Sequence, residues 1–209
     1  MPGLKILIYV SIFSVFLPIT FLFRKSKMPE NSLTKALGLL LIISPITDLI
    51  NYTLGKIEMP SLIVANLCFI LQFLLLNYIF TLLLSNKKIV YTGALLFVIF
   101  TLYNFLRIQN FTEYQDWPYV TGSIMLLTYS LLYMWQLIIA PPAQNIWQFS
   151  PFWINTAVLW YFSLFLMINY VFKNFSTEIA MVVWVFHNIN NIVKNILLAV
   201  GIYYSGEIK

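Results

Sequence analysis

The sequence predicts an all-α, polytopic membrane protein with seven transmembrane helices, its N-terminus outside and its C-terminus in the cytoplasm. Three observations predict this fold class. The 209 residues are 61% hydrophobic and only 9% charged, whereas about a quarter of the residues in soluble domains are charged. Apolar stretches long enough to cross a bilayer recur along the chain. The loops between them alternate in positive charge, which is typical of multi-pass proteins.

The apolar stretches form one seven-helix transmembrane domain over residues 1–209. Pro60, Pro118 and Pro151 stand at segment starts, where the missing N–H of proline costs nothing. Pro18 and Pro45 lie inside the first two segments, and each is expected to kink its helix or to free a carbonyl. The predicted segments are 4–23, 36–54, 61–85, 88–106, 119–140, 152–172 and 180–205.

The orientation follows from the basic residues of the loops. One set of loops holds Arg24, Lys25, Lys27, Lys35, Lys87, Lys88 and Lys209. The other set holds Lys5, Lys56, Arg107 and Lys173, together with the acidic stretch 113–116. The positive-inside rule places the first, more basic set in the cytoplasm. The first segment has no small-residue cleavage site, so we expect an uncleaved span.

Composition and loop length exclude several function classes. The single cysteine excludes an intramolecular disulfide and cysteine-based metal clusters. The single histidine excludes a two-His zinc or iron site within one chain. The predicted loops are too short for a soluble catalytic, nucleotide-binding or DNA-binding domain. We therefore expect no cofactor, no metal, no catalytic residue and no nucleic-acid partner.

The last segment carries a polar face inside the membrane. At about 100° per residue, its polar side chains fall within one half of the helical wheel, and they are His187, Asn188, Asn190, Asn191, Lys194 and Asn195. Trp184 falls on the same arc. Lipid cannot satisfy these groups, so the face must turn to other protein or to a watered cavity. Ionisable residues at this depth are usually functional.

The second segment holds the acid that best matches this face. Asp48, Asn51 and Tyr52 lie on one side of that helix, spaced by three and four residues. Counting about 1.5 Å per residue from each segment's end places Asp48 and His187 at the same level, with Lys194 about two turns deeper. Two interpretations follow: a pair or triad that responds to protonation or binds a polar ligand, and a polar cluster that only holds helices together.

Five strings of the sequence carry a resemblance to known proteins, and they are 43–52, 151–156, 161–163, 184–188 and 191–197. With these strings the chain resembles a large family of small, uncharacterised seven-helix membrane proteins of Bacteroidota-type bacteria. The resemblance covers nearly the whole chain. It implies a multi-pass protein of the bacterial inner membrane, similar to membrane sensory modules associated with histidine kinases.

Together these observations predict a non-enzymatic sensory or signalling module whose polar pocket lies among the second, third, sixth and seventh segments. The expected partners are the lipid bilayer, a small-molecule ligand and a cytoplasmic or membrane signalling protein such as a kinase. The ligand-binding or proton-responsive residues would be Asp48, Asn51, Tyr52, Trp184, His187, Asn190, Asn191 and Lys194. Alternatives are a small-solute transporter or channel, a membrane enzyme, and a structural accessory subunit.

Overall fold

The computed structural model describes residues 2–24, 32–56, 62–110, 112–174 and 177–205. Within these ranges the chain is helical between short turns and contains no strand, which confirms the all-α prediction. The helices are α1 (Pro2–Ser14), α2 (Phe16–Arg24), α3 (Ser32–Lys56), α4 (Leu62–Leu83), α5 (Lys87–Arg107), α6 (Asp116–Ile139), α7 (Ser150–Asn174) and α8 (Thr177–Tyr204). A single 3₁₀ turn, Ile146–Gln148, precedes α7.

The first predicted segment is divided into α1 and α2 by a turn at Val15. The turn lies just before Pro18, whose missing N–H leaves the carbonyl of Ser14 without its helical partner. The predicted disturbance at Pro18 is thus confirmed. By contrast, α3 continues through Pro45 without a break.

The other six predicted segments correspond to α3 through α8, with bounds that agree within four residues. Among the described residues, five stretches are long and apolar enough to cross a membrane: Ile6–Phe23, Leu62–Leu83, Lys87–Arg107, Asp116–Ile139 and Ser150–Tyr170. In α3 the apolar stretch is shorter, Ser32–Thr47. Helix α8, which carries the polar face predicted from the sequence, is not among these stretches.

Apolar side chains cover the outside of the helices as well as the interior. Large hydrophobic residues such as Phe23, Leu106, Ile138 and Met167 are more than half exposed. Soluble monomers rarely expose apolar surface continuously, whereas a bilayer favours it. The distribution of exposed residues therefore agrees with a helical membrane protein.

Helix α8 is the element around which the candidate site is built. It packs most extensively against α7 and also contacts α1 and α2. A β-carbon added to Gly201 of α8 would lie 3.0 Å from Cγ1 and 3.3 Å from the backbone nitrogen of Ile154 on α7. The absence of a side chain at this glycine therefore allows α7 and α8 to approach closely. This contact fixes the end of α8 that lies opposite His187.

Candidate functional site

The polar face of α8 is divided between two neighbouring helices. Towards α1, the amide nitrogen of Asn191 donates to the hydroxyl of Ser11 over 3.1 Å, and that of Asn195 donates to Ser14 over 2.7 Å. We call these two hydrogen bonds the α1–α8 seam. Asparagine–hydroxyl bonds between membrane helices contribute about 0.6–2 kcal/mol each. The seam therefore holds α8 to α1, which belongs to the first predicted segment.

Towards α7, two residues of α8 contact Tyr161. The amide nitrogen of Asn190 donates to the Tyr161 carbonyl oxygen over 3.0 Å. One turn further, the ammonium nitrogen of Lys194 lies 4.6 Å from the centroid of the Tyr161 ring. A cation over an aromatic face is stabilised by the ring quadrupole, more strongly when water is excluded. Residues 190 and 194 thus attach α8 to the backbone and to the ring of the same tyrosine.

A cavity of about 290 Å³ opens beside His187, at the end of the bundle that carries the α5–α6 loop. We call it the His187 cavity. Its described lining residues are Ala65, Tyr114, Tyr119, Phe165, Ile168, Asn169, Val183, Trp184 and His187. Aromatic and aliphatic side chains dominate, with few polar groups. Ligand pockets of about 300 Å³ and above are typically lined in this way.

Most polar groups in the wall of this cavity already form hydrogen bonds within the protein. The hydroxyl of Tyr114 donates to the side-chain oxygen of Asn169, and the Asn169 amide nitrogen donates to the Phe165 carbonyl over 2.8 Å. The hydroxyl of Tyr119 donates to the side-chain oxygen of Asn66 over 3.3 Å. These bonds hold both tyrosines in place, so the cavity has a preformed wall.

The loop that supplies Tyr114 is itself fixed by buried amides. The Asn104 amide nitrogen donates to the side-chain oxygens of Gln115 over 2.6 Å and of Gln109 over 3.1 Å. Gln115 in turn donates to the carbonyl of Asn110 over 2.7 Å. Burial raises the pKa of the Tyr114 hydroxyl, and the nearby carboxylate of Asp116 raises it further. Tyr114 therefore stays neutral and keeps its hydrogen bond up to strongly alkaline pH.

His187 differs from the other polar groups of the cavity. Its ring packs edge-on against Trp184, with 5.5 Å between the ring centroids and an interplanar angle of 88°. No hydrogen bond joins His187 to another residue in the described part of the chain. A neutral imidazole has one donor and one acceptor nitrogen. Neither nitrogen is engaged in a hydrogen bond within the described residues.

Lys194 lines a second, smaller cavity of about 40 Å³, the Lys194 cavity. Its polar lining residues are Ser44, Gln72, Tyr161, Lys194 and Asn195. The apolar lining residues are Val15, Leu40, Leu41, Leu76, Ala157, Val158, Phe162 and Leu198. A volume of this size accommodates about one to two water molecules. It is too small for an organic ligand.

The structure separates the residues that the sequence placed in one pocket. Trp184 and His187 line the His187 cavity, and Lys194 lines the smaller one. Asn190 and Asn191 lie in contacts between helices. The side chains of Asp48, Asn51 and Tyr52 lie outside the described residues. The pairing of Asp48 with His187 therefore stays a prediction.

The helices around the two cavities also differ in part from the predicted set. The Lys194 cavity is lined by residues of the second, third, sixth and seventh segments and by Val15 of the first segment. The His187 cavity uses the third, fifth, sixth and seventh segments. The fifth segment contributes Tyr119 and the loop before it contributes Tyr114. The His187 cavity thus has the fifth segment where the predicted set has the second.

The site residues predicted from the sequence include Trp184 and His187 of this cavity but not its aromatic wall of Tyr114, Tyr119 and Phe165. One signal could have found part of this wall, because Tyr161, Phe165 and Asn169 recur every four residues along one face of α7. Within the described residues, no group of three His, Cys, Asp or Glu side chains is placed to hold a metal ion.

No protein-family model matches this chain, no curated protein matches its sequence, and no solved structure matches its fold. The assignment of function therefore depends on the residues and the geometry described above.

Proposed function

We propose that the protein is a seven-span sensory module of a bacterial inner membrane, with its N-terminus outside and its C-terminus in the cytoplasm. The five long apolar stretches among the described residues and the apolar outer surface support the membrane location. In this proposal α3 and α8 complete the seven spans, since protein neighbours cover the polar face of α8.

The observation that carries the sensory proposal is the double role of α8. The same helix lines the His187 cavity with Trp184 and His187 and holds α1 through Asn191 and Asn195. A ligand that presses on the cavity side of α8 would change the geometry of the α1–α8 seam. Helix shifts of about 1–2 Å are a known means of passing such a signal. A cytoplasmic or membrane partner such as a kinase would read the shift.

The proposal is tested by asking whether the His187 cavity is occupied in membranes. Wild-type protein and two variants would be purified from the same membranes, and bound small molecules would be extracted and quantified by mass spectrometry. Ala65→Phe places a ring in the cavity. Ala94→Phe is the matched control, because Ala94 is also a partly exposed helical alanine but lines no cavity described above.

We expect a bound molecule in the wild type and in Ala94→Phe, and its loss in Ala65→Phe. Equal recovery from all three proteins would contradict a ligand site at this cavity. Proteoliposomes containing the wild type should release a trapped fluorescent dye and protons no faster than empty liposomes. Faster release would favour the transporter or channel alternative over the sensor.

A further inference from the structure

We infer that the His187 cavity takes a neutral, flat, bicyclic aromatic molecule with a single hydrogen-bonding group directed at His187. This inference rests on the proposed function and names the ligand class of the same site. Size, wall chemistry, the arrangement of polar groups and the charge of the wall support it separately.

The volume sets the size of the ligand. An apolar cavity of about 150 Å³ in a protein core accepts one benzene ring. The His187 cavity, at about 290 Å³, has roughly twice that volume. Two fused six-membered rings therefore fit, whereas a single ring would leave much of the cavity empty.

The wall favours a flat molecule. Four of the nine described lining residues are Tyr114, Tyr119, Phe165 and Trp184. Tyr114 and Tyr119 stack on each other, with 4.9 Å between their ring centroids and an interplanar angle of 15°. Aromatic pairs in offset or edge-on contact gain about 0.5–1.5 kcal/mol beyond their buried area. A flat aromatic ligand can extend this arrangement, and a branched aliphatic ligand cannot.

The polar groups limit the ligand to one hydrogen-bonding substituent. The hydroxyls of Tyr114 and Tyr119 already donate to asparagine oxygens, and the amide of Asn169 is bonded on both sides. His187 lines the cavity and offers both a donor and an acceptor nitrogen without a hydrogen-bond partner among the described residues, whereas Trp184 offers only its indole N–H. A hydroxyl, carbonyl or ring N–H on the ligand would match it.

The charge distribution disfavours a cation. Aromatic walls alone can bind quaternary ammonium groups. However, the described lining residues of this cavity include no acidic side chain. Without a carboxylate in the described wall to balance a positive charge, a neutral ligand is the class we test first.

The test uses 2-naphthol as the probe and equilibrium dialysis against the protein in nanodiscs of phosphatidylethanolamine and phosphatidylglycerol. Empty nanodiscs measure how much of the probe partitions into lipid. In the protein samples, the acyl chains of the surrounding bilayer compete with the probe for the cavity. Naphthalene tests the role of the hydroxyl, and phenyltrimethylammonium tests the cation alternative. The proteins are wild type, His187→Leu, Ala65→Phe and Ala94→Phe.

We expect saturable binding of 2-naphthol to the wild type and to Ala94→Phe, and none to Ala65→Phe. Naphthalene should bind about fivefold more weakly than 2-naphthol, the effect of one hydrogen bond. His187→Leu should weaken 2-naphthol by about the same factor and leave naphthalene unchanged. Phenyltrimethylammonium should not bind.

Three outcomes would overturn the inference. Equal affinity of the wild type for naphthalene and 2-naphthol would remove the role of His187. Tighter binding of phenyltrimethylammonium than of 2-naphthol would show that the aromatic wall binds cations. Retained binding in Ala65→Phe would place the probe elsewhere. If 2-naphthol does not bind but extraction still yields a molecule that Ala65→Phe lacks, only the ligand class is wrong and the proposed function stands.

Discussion

The ammonium nitrogen of Lys194 lies 4.6 Å from the centroid of the Tyr161 ring on α7. Asn190, one turn earlier on α8, donates a hydrogen bond to the backbone carbonyl of the same tyrosine. This relationship gives the lysine an aromatic contact within the helix bundle. It also fixes the rotation of α8 against α7, because residues one turn apart bind two different parts of one tyrosine. Trp184 and His187 are turned to their cavity by the same rotation.

The cation–π contact predicts a difference between two substitutions of Tyr161. Tyr161→Phe keeps the ring face and Tyr161→Leu removes it, so the leucine variant should be less stable by about 1–2 kcal/mol. Reversible unfolding in mixed detergent micelles measures the difference. Repeating the pair in a Lys194→Met background should reduce it to a few tenths of a kcal/mol. An undiminished difference would show that packing, and not the cation, is responsible.

The α1–α8 seam predicts pairwise coupling. Ser14→Ala and Asn195→Ala each remove one side of the 2.7 Å hydrogen bond. Each single variant should destabilise the fold by about 0.6–1.5 kcal/mol, and the double variant should cost less than the sum of the two. Thr128→Ala is a suitable control, because that hydroxyl bonds only within its own helix, at Ile124. Additive effects would mean that the seam contributes no stability.

The close approach of Gly93 and Tyr129 predicts that removing the Tyr129 hydroxyl rescues a destabilising substitution of Gly93. A β-carbon on Gly93 of α5 would collide with the Tyr129 hydroxyl of α6, and that buried hydroxyl has no hydrogen-bond partner among the described residues. Gly93→Ala should therefore cost about 1–3 kcal/mol. Tyr129→Phe alone should be neutral or slightly stabilising. The double variant should recover most of the loss; failure to recover would place the clash elsewhere.

Tyr114 predicts an alkaline loss of stability. Its folded pKa is raised by burial and by Asp116, so the unfolded chain releases the proton first as the pH rises above about 10. The stabilisation is complete below that pH and declines above it, by about 1.4 kcal/mol per pH unit for one group. Between pH 9 and 11, the melting temperature in detergent should fall more steeply with pH for the wild type than for Tyr114→Phe. Parallel curves would contradict this assignment.

The limits of sequence reasoning are visible in particular residues. Hydropathy and proline positions predicted the helices well, including the disturbance at Pro18, because both effects are local. The helical wheel predicted that α8 has a polar face but not which neighbour would cover it. Ser11 and Ser14 gave little warning, although their spacing of three residues places them on one side of α1.

The His187 cavity was harder to predict for a related reason. Tyr114 lies in a loop, and its position depends on the buried amides of Asn104 and Gln115. Such a network forms only once α5 and α6 are side by side. Periodicity within one helix carries no information about it. His187 itself was found from sequence because an ionisable residue in an apolar helix is conspicuous.

The central claim is that a ligand bound in the His187 cavity moves α8. Distance measurements between two spin labels by double electron–electron resonance test this claim most directly. Spin labels at Leu106 of α5 and Val182 of α8 would use two side chains that are 79% and 54% exposed. Distances would be recorded in nanodiscs without and with saturating 2-naphthol, and in Ala65→Phe. We predict a shift of about 1–2 Å in the mean distance on addition of 2-naphthol to the wild type, and none on its addition to Ala65→Phe. An unchanged distance in wild-type protein shown by dialysis to be saturated would contradict the account.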